Sequence, residues 1–216
     1  MAVINTLVNE PDIEGKLRQA ADVISQAFKT ENITTTMYDF SVPEKFKTWE
    51  EINYFSAIKL YETGEKVILA EVDDKVIGAA YLRDSNQGSI LDIIRAYFPD
   101  ILKFIIPAIK ALNIRKILRS AKLFKTKKIP AENYYNLEVI GINSEYQGRG
   151  IARILLEEAE KFIRELEDYD GIYLYTGNED TKNLYQHLGY QLIEQKENKY
   201  LTIYHMYKPV RREQIA

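Results

Sequence analysis

The sequence predicts a mixed α/β single domain. Three observations predict it. Strand-like and helix-like segments alternate along the chain in the order β, α, α, β, β, an α insertion, β, α, β, α, β, β, with no linker between them. The 216 residues suffice for one good core and are few for two. Hydrophobic residues at 46% and charged residues at 28% are ordinary for a globular chain.

Each element has its own signal. Residues 2–8 (Ala-Val-Ile-Asn-Thr-Leu-Val) read as a short first strand. Pro11 and Asp12 open a helix on which Ile13, Leu17, Ala20, Ala21, Ile24 and Phe28 recur at helical spacing. The Thr-rich stretch 30–42 reads as a loop. Pro43 leads into a helix over 44–62, with Phe46, Trp49, Ile52 and Ile58 on its apolar face, and Gly64 ends it. Residues 66–72 and 75–82 form a hairpin around Asp73-Asp74. After a loop at 83–89, residues 90–124 are rich in Ile and Leu at helical spacing, interrupted at Pro99 and Pro107. Residues 134–142 are a strand. Residues 147–152 turn into a helix running to about Tyr169, with Ile154, Leu155, Ala159, Phe162, Ile163 and Leu166 on one face. A strand over 172–176, a short helix over 181–188 stopped by Gly189, and an antiparallel pair, 190–195 and 200–207, complete the chain.

Composition excludes several kinds of chemistry. The sequence has no cysteine, so a disulfide framework, a thiolate metal site and a cysteine nucleophile are ruled out. Only His187 and His205 are present, and no metal site is expected. A net charge of -3 gives no reason to expect a nucleic-acid partner. No apolar run approaches the roughly 18–20 residues that span a bilayer. The first ten residues lack a basic stretch followed by an apolar core, so a soluble cytoplasmic protein is expected. Residues 101–128 carry nine Lys or Arg and no Asp or Glu. Two readings stay open for them: a basic amphipathic surface meeting an anionic membrane or ligand, or ordinary helices with a solvated basic face. The second is the general expectation for a charge run.

The segment that points to chemistry is Glu145-Tyr-Gln-Gly-Arg-Gly-Ile-Ala152, between a strand and a helix. Gly148 and Gly150 permit a tight turn and close approach of a ligand. The first N–H groups of a helix have no internal partner, and the helix dipole adds partial positive charge there. Such a unit suits a phosphate or pyrophosphate, with Arg149 beside it. The spacing is neither that of a P-loop nor that of a dinucleotide fingerprint, whose third glycine position is Arg153 here. On this segment alone, an ordinary tight turn remains an equal reading.

Two stretches carry a resemblance. Gln147-x-x-Gly150-x-Ala152, following Leu137-Glu-Val-Ile-Gly-Ile142, resembles the acetyl-CoA signature of the GNAT N-acetyltransferase superfamily. Asn178-x4-Asn183-Leu184-Tyr185-x3-Gly189-Tyr190 is similar to the family's later helix and Gly-aromatic turn, in the expected order. The resemblance covers about residues 66–207. Ser144 and Ala152 depart from the common pattern, but neither removes a backbone N–H. It implies a single GNAT-like domain over 1–216. Its central mixed sheet is mostly antiparallel, with a splayed parallel strand pair and flanking helices, and it carries a helical insertion at about 90–128.

The resemblance also implies roles. Strand 134–142 splays from its parallel neighbour, and backbone groups of Ile140 and Ile142 meet the pantetheine arm. Gly141 fits a local bulge, since glycine inside a strand often marks one. Backbone N–H groups of Gln147, Gly148, Arg149, Gly150, Ile151 and Ala152 hold the pyrophosphate; the Arg149 side chain reaches the 3′-phosphate or stays in solvent. Glu138 matches a carboxylate that serves as base, often through water. Strand periodicity puts it opposite apolar Leu137 and Val139, a setting that favours the neutral form. Its alternative is a salt-bridged strand residue. Tyr185 matches the general acid that protonates the leaving thiolate; its alternative is a core tyrosine. Asn178 and Asn183 contact coenzyme A or cap a helix. His187 reads as a surface residue and His205 as structural. The implied activity is direct acetyl transfer from acetyl-CoA to a primary amine of a small molecule. A non-catalytic acyl-CoA-binding sensor or scaffold, and a protein acetyltransferase acting on an N-terminus or lysine, are the alternatives. A homodimer is left open.

Overall fold

The computed structural model describes residues 3–6, 12–87 and 111–210. The elements are β1 (Val3–Thr6), α1 (Ile13–Phe28), α2 (Asn32–Met37), α3 (Pro43–Glu62), β2 (Lys66–Val72), β3 (Lys75–Asp84) and α4 (Ile114–Ser120). After a 3-10 turn, Ala121–Phe124, come β4 (Tyr135–Ile142), α5 (Ile151–Arg164), β5 (Gly171–Thr176), α6 (Glu179–His187), β6 (Gln191–Glu197) and β7 (Thr202–Pro209).

The strands form one seven-stranded sheet in the order β1-β2-β3-β4-β5-β7-β6. Every neighbouring pair is antiparallel except β4 and β5. The mixed α/β class and the single parallel pair are therefore as the sequence implies. Each face is covered by helix. On one side Leu155, Ala159 and Ile163 of α5 pack with Ile68, Leu82, Ile142, Ile172 and Met206 of the sheet. On the other, Leu17, Ala20 and Ile24 of α1 and Ala57 of α3 pack with Leu69, Ala79 and Tyr81. The alternation of Ile68 and Leu69 between the two clusters is the strand period of two expressed as packing.

Besides shifts of one or two residues at the ends of α6, β6 and β7, three differences from the sequence reading stand out. The stretch read as a loop at 30–42 contains α2, whose β-branched threonines hide it. The Glu31 carboxylate makes it possible, accepting from Ile33 N at 2.7 Å and Thr34 N at 3.1 Å. α5 ends at Arg164, not near Tyr169. Past that point Tyr169 packs on the Tyr135 ring at 4.8 Å and donates to Asp84 Oδ2 at 2.5 Å, contacts that a continued helix would not serve. β3 runs on to Asp84. Of the expected insertion at 90–128, residues 90–110 lie outside the described residues; α4 and the 3-10 turn are the helical elements of the remainder.

Candidate active site

The parallel pair is short. β4 meets β5 only at Tyr135↔Ile172 and Asn136↔Tyr173. From Leu137 to Ile142 β4 has register partners on β3 alone, so its other edge faces a widening gap. Ile140 and Ile142 lie on that free length, with side chains in the α5 cluster.

The chain then enters the turn. Asn143 Oδ1 accepts from Glu145 N at 3.0 Å, and Gln147 Nε2 donates to Ile142 O at 3.1 Å, bracing the turn to the strand end. Gly148 has φ +74 and Gly150 φ +78, conformations that favour glycine. A Cβ built on either meets nothing within 4 Å, so the turn borders open space. Gly150 is the N-cap of α5, and no side chain caps that helix. The amides of Ile151, Ala152 and Arg153 therefore begin the helix without an internal acceptor, at its positive end. Gln147 is an exception within 147–152: its N–H donates inside the turn, to Ser144 O at 3.4 Å. Arg149 donates from Nη2 to Glu145 O at 3.0 Å, with its guanidinium 5.1 Å from the centre of the Tyr146 ring. Ala152 packs on the α5 cluster.

On the opposite face of the splay lies Glu138. Tyr81 pairs with Val139 and Leu82 with Leu137, so Glu138 is the extra residue of a β-bulge. The bulge is there and not at Gly141, which stays in register with Ala79. Gly141 has a different reason to be glycine. Its Cβ would stand 2.9 Å from Ile24 Cδ1 and 3.1 Å from Ala27 Cβ, so α1 crosses directly over it. The bulge also breaks the expected parity: Glu138 shares the α1 face with Val139. Its neighbour is a guanidinium, not an apolar wall, since Arg83 Nε donates to Glu138 Oε1 at 2.7 Å. Arg83 escaped the sequence reading because it lies one residue past the expected end of its strand. The adjacent β5 side chains on this face are Tyr173 and Tyr175. The Tyr173 hydroxyl meets buried His205 Nδ1 at 2.6 Å, and His205 Nε2 meets Leu123 O at 2.8 Å. His205 is structural, as expected.

Tyr185 is 7% exposed and belongs to the same cluster as Ile142 and Ile151, with the Tyr190 ring at 5.4 Å. Burial pushes its phenol pKa up. Asn178 is the N-cap of α6, accepting from Thr181 N at 3.0 Å. Asn183 is exposed on that helix, and its carbonyl meets His187 Nδ1 at 2.7 Å; His187 is exposed as well. A polar cleft of about 400 Å³ opens between α2 and the β6–β7 turn, with Asn32, Thr35, Gly177, Tyr200 and Tyr204 among its walls. Gly177 follows β5 directly, so the cleft adjoins the end where β4 and β5 diverge. No group of three or more metal-binding side chains occurs among the described residues.

The sequence profile of the acetyltransferase (GNAT) family matches residues 34–190. The chain belongs to that family. Its fold is shared with the histone acetyltransferase HPA2 and related acetyltransferase from Corynebacterium glutamicum, at TM-score 0.65 and 13% identity over 99% of each chain. It is shared with yncA from Salmonella typhimurium, solved with its cofactor acetyl-CoA, at TM-score 0.58 and 13% identity over 100% of this chain and 98% of that one. Arabidopsis thaliana NAA60 in complex with acetyl-CoA superposes at TM-score 0.55 and 13% identity, over 97% and 99% of the two chains. No curated protein matches the chain by sequence.

Proposed function

We propose that this protein transfers an acetyl group from acetyl-CoA to a primary amine of a small molecule, directly and within one cytoplasmic domain spanning 1–216. The observation that carries the reading is the divergence of β4 from β5 beside an uncapped helix start. A free strand edge pairs with an amide-bearing arm as an added strand would, and backbone groups of Ile140 and Ile142 lie along it. Open amides from Gly148 to Ala152 suit a pyrophosphate, while the space beside the glycines admits it. Arg149, exposed and held by a backbone carbonyl and the Tyr146 ring but by no carboxylate, is placed to swing toward a second phosphate. The Asn178 side-chain oxygen is used as a cap, leaving its amide nitrogen for the ligand. Asn183 faces solvent on the same helix.

Acetyl-CoA supplies an activated thioester; the chain's own residues handle the protons. Glu138 takes the proton of the attacking amine through water, with Arg83 fixing one carboxylate oxygen. Tyr185 returns a proton to the leaving thiolate. Burial raises the phenol pKa, and the same apolar surroundings raise that of the thiolate, so the transfer stays matched. Without a cysteine in the sequence, no thiol is available to hold the acetyl group, which supports direct attack by the amine. The acceptor enters through the polar cleft at the open end of the splay.

Release of free thiol, followed over a panel of small amines and amine-bearing peptides, tests this reading. A small amine is expected to turn over. Tyr185→Phe is expected to lower kcat by about 10²-fold with little change in acetyl-CoA affinity. Binding of acetyl-CoA with no thiol release from any amine would make the protein a sensor instead.

A further inference from the structure

The described part of the basic segment resolves into an inner and an outer face. Inward, Ile117 packs with Met37, Leu123 and Ile203, and the buried Ser120 hydroxyl accepts from Asn198 Nδ2 at 3.0 Å. These contacts fix the rotation of α4. Outward it presents Ile114, 42% exposed, and Leu118, 73% exposed, one turn apart on the same stripe. Arg115, Arg119 and Lys122 flank them. Arg119 Nη1 donates to the Tyr200 hydroxyl at 2.8 Å. Among the described residues, neither Arg115 nor Lys122 forms an ion pair, and the sequence from 101 to 128 offers no acidic partner. Ile114 and Leu118 together make a small apolar stripe set among these cations.

We propose that this face of α4 docks on an anionic membrane surface. Ile114 and Leu118 enter the headgroup boundary while Arg115, Arg119 and Lys122 meet the phosphates. Charge complementarity selects the partner: a neutral apolar protein groove would leave the three cations unmatched, whereas an anionic bilayer offers negative headgroups above an apolar interior. A nucleic acid would meet the cations and leave the apolar pair in water. Arg119 touches the candidate site through the Tyr200 hydroxyl that walls the polar cleft; the positions varied below, Arg115, Leu118 and Lys122, do not line it, so the proposal stands or falls separately from that reading.

The test is flotation of the full chain with vesicles of phosphatidylcholine alone and of phosphatidylcholine and phosphatidylglycerol in equal parts. Binding is expected only to the anionic vesicles. It is expected to weaken about tenfold or more in Leu118→Asp and in Arg115→Glu/Lys122→Glu, and to fall as salt screens the charges. Thermal melting and acetyl-CoA binding are expected to be unchanged in both variants, since all three side chains point to solvent. Three outcomes would overturn the proposal: no flotation with anionic vesicles, flotation unaffected by Leu118→Asp, or binding to double-stranded RNA that displaces the vesicles and ignores Leu118→Asp.

Discussion

His205 is a side chain whose chemistry is set by its packing. It is 0% exposed and bonded at both nitrogens. The Leu123 carbonyl can only accept, so Nε2 carries the proton and Nδ1 accepts from Tyr173. The ring is neutral, and burial lowers its pKa below the ordinary 6.5. An unfolded chain therefore binds a proton here that the folded chain refuses. Stability is full above about pH 6.5 and is lost as pH falls through the depressed folded value. Melting followed from about pH 7.5 to about pH 5.5 is expected to show a falling Tm in the native protein. In His205→Gln the starting Tm is lower and the slope over that interval disappears; an unchanged slope would put the titration elsewhere. The neighbouring Arg83–Glu138 pair gives a second residue-scale lesson. Each partner looks ordinary in sequence, and only the fold brings positions 83 and 138 to 2.7 Å.

Elements whose period matches their burial were legible. α5 announced itself through Leu155, Ala159 and Ile163, and the β2–β3 hairpin through Asp73-Asp74, both at positive φ. What stayed hidden depends on partners distant in sequence. A bulge at Glu138 is a mismatch between two strands, so no single strand reveals it. α2 depends on a cap from Glu31 that overrides the low helix propensity of threonine. The glycine at 141 was visible, but its reason is the approach of α1, more than a hundred residues earlier. That reason is testable by denaturant unfolding of Gly141→Val. Overpacking against Ala27 Cβ and the α1 backbone is expected to cost about 1–3 kcal/mol. A neutral result would mean α1 is not seated as described. Within the candidate site, the turn at 147–152 was legible because helix starts have a local signature. The setting of Glu138 was not, because its neighbours come from β3.

At the scale of the whole molecule, the sheet is continuous except where it opens. Six strand pairings tie seven strands, and the parallel one ends after two register pairs. Both faces beside the opening are packed, by α5 and by α1, so the gap is a built feature and not a frayed edge. Its unpaired β4 edge leads into the uncapped start of α5, and the buried Tyr185 belongs to the same hydrophobic cluster as Ile142 and Ile151. Isothermal calorimetry of acetyl-CoA binding to the native chain and to Gly150→Glu probes this arrangement most directly. The native protein is expected to bind with one-to-one stoichiometry. The variant, which sets a carboxylate among the amides at the helix start, is expected to lose affinity by about 10²-fold or more while keeping its fold. Equal affinities in the two proteins would contradict the assignment of the turn as the diphosphate cradle.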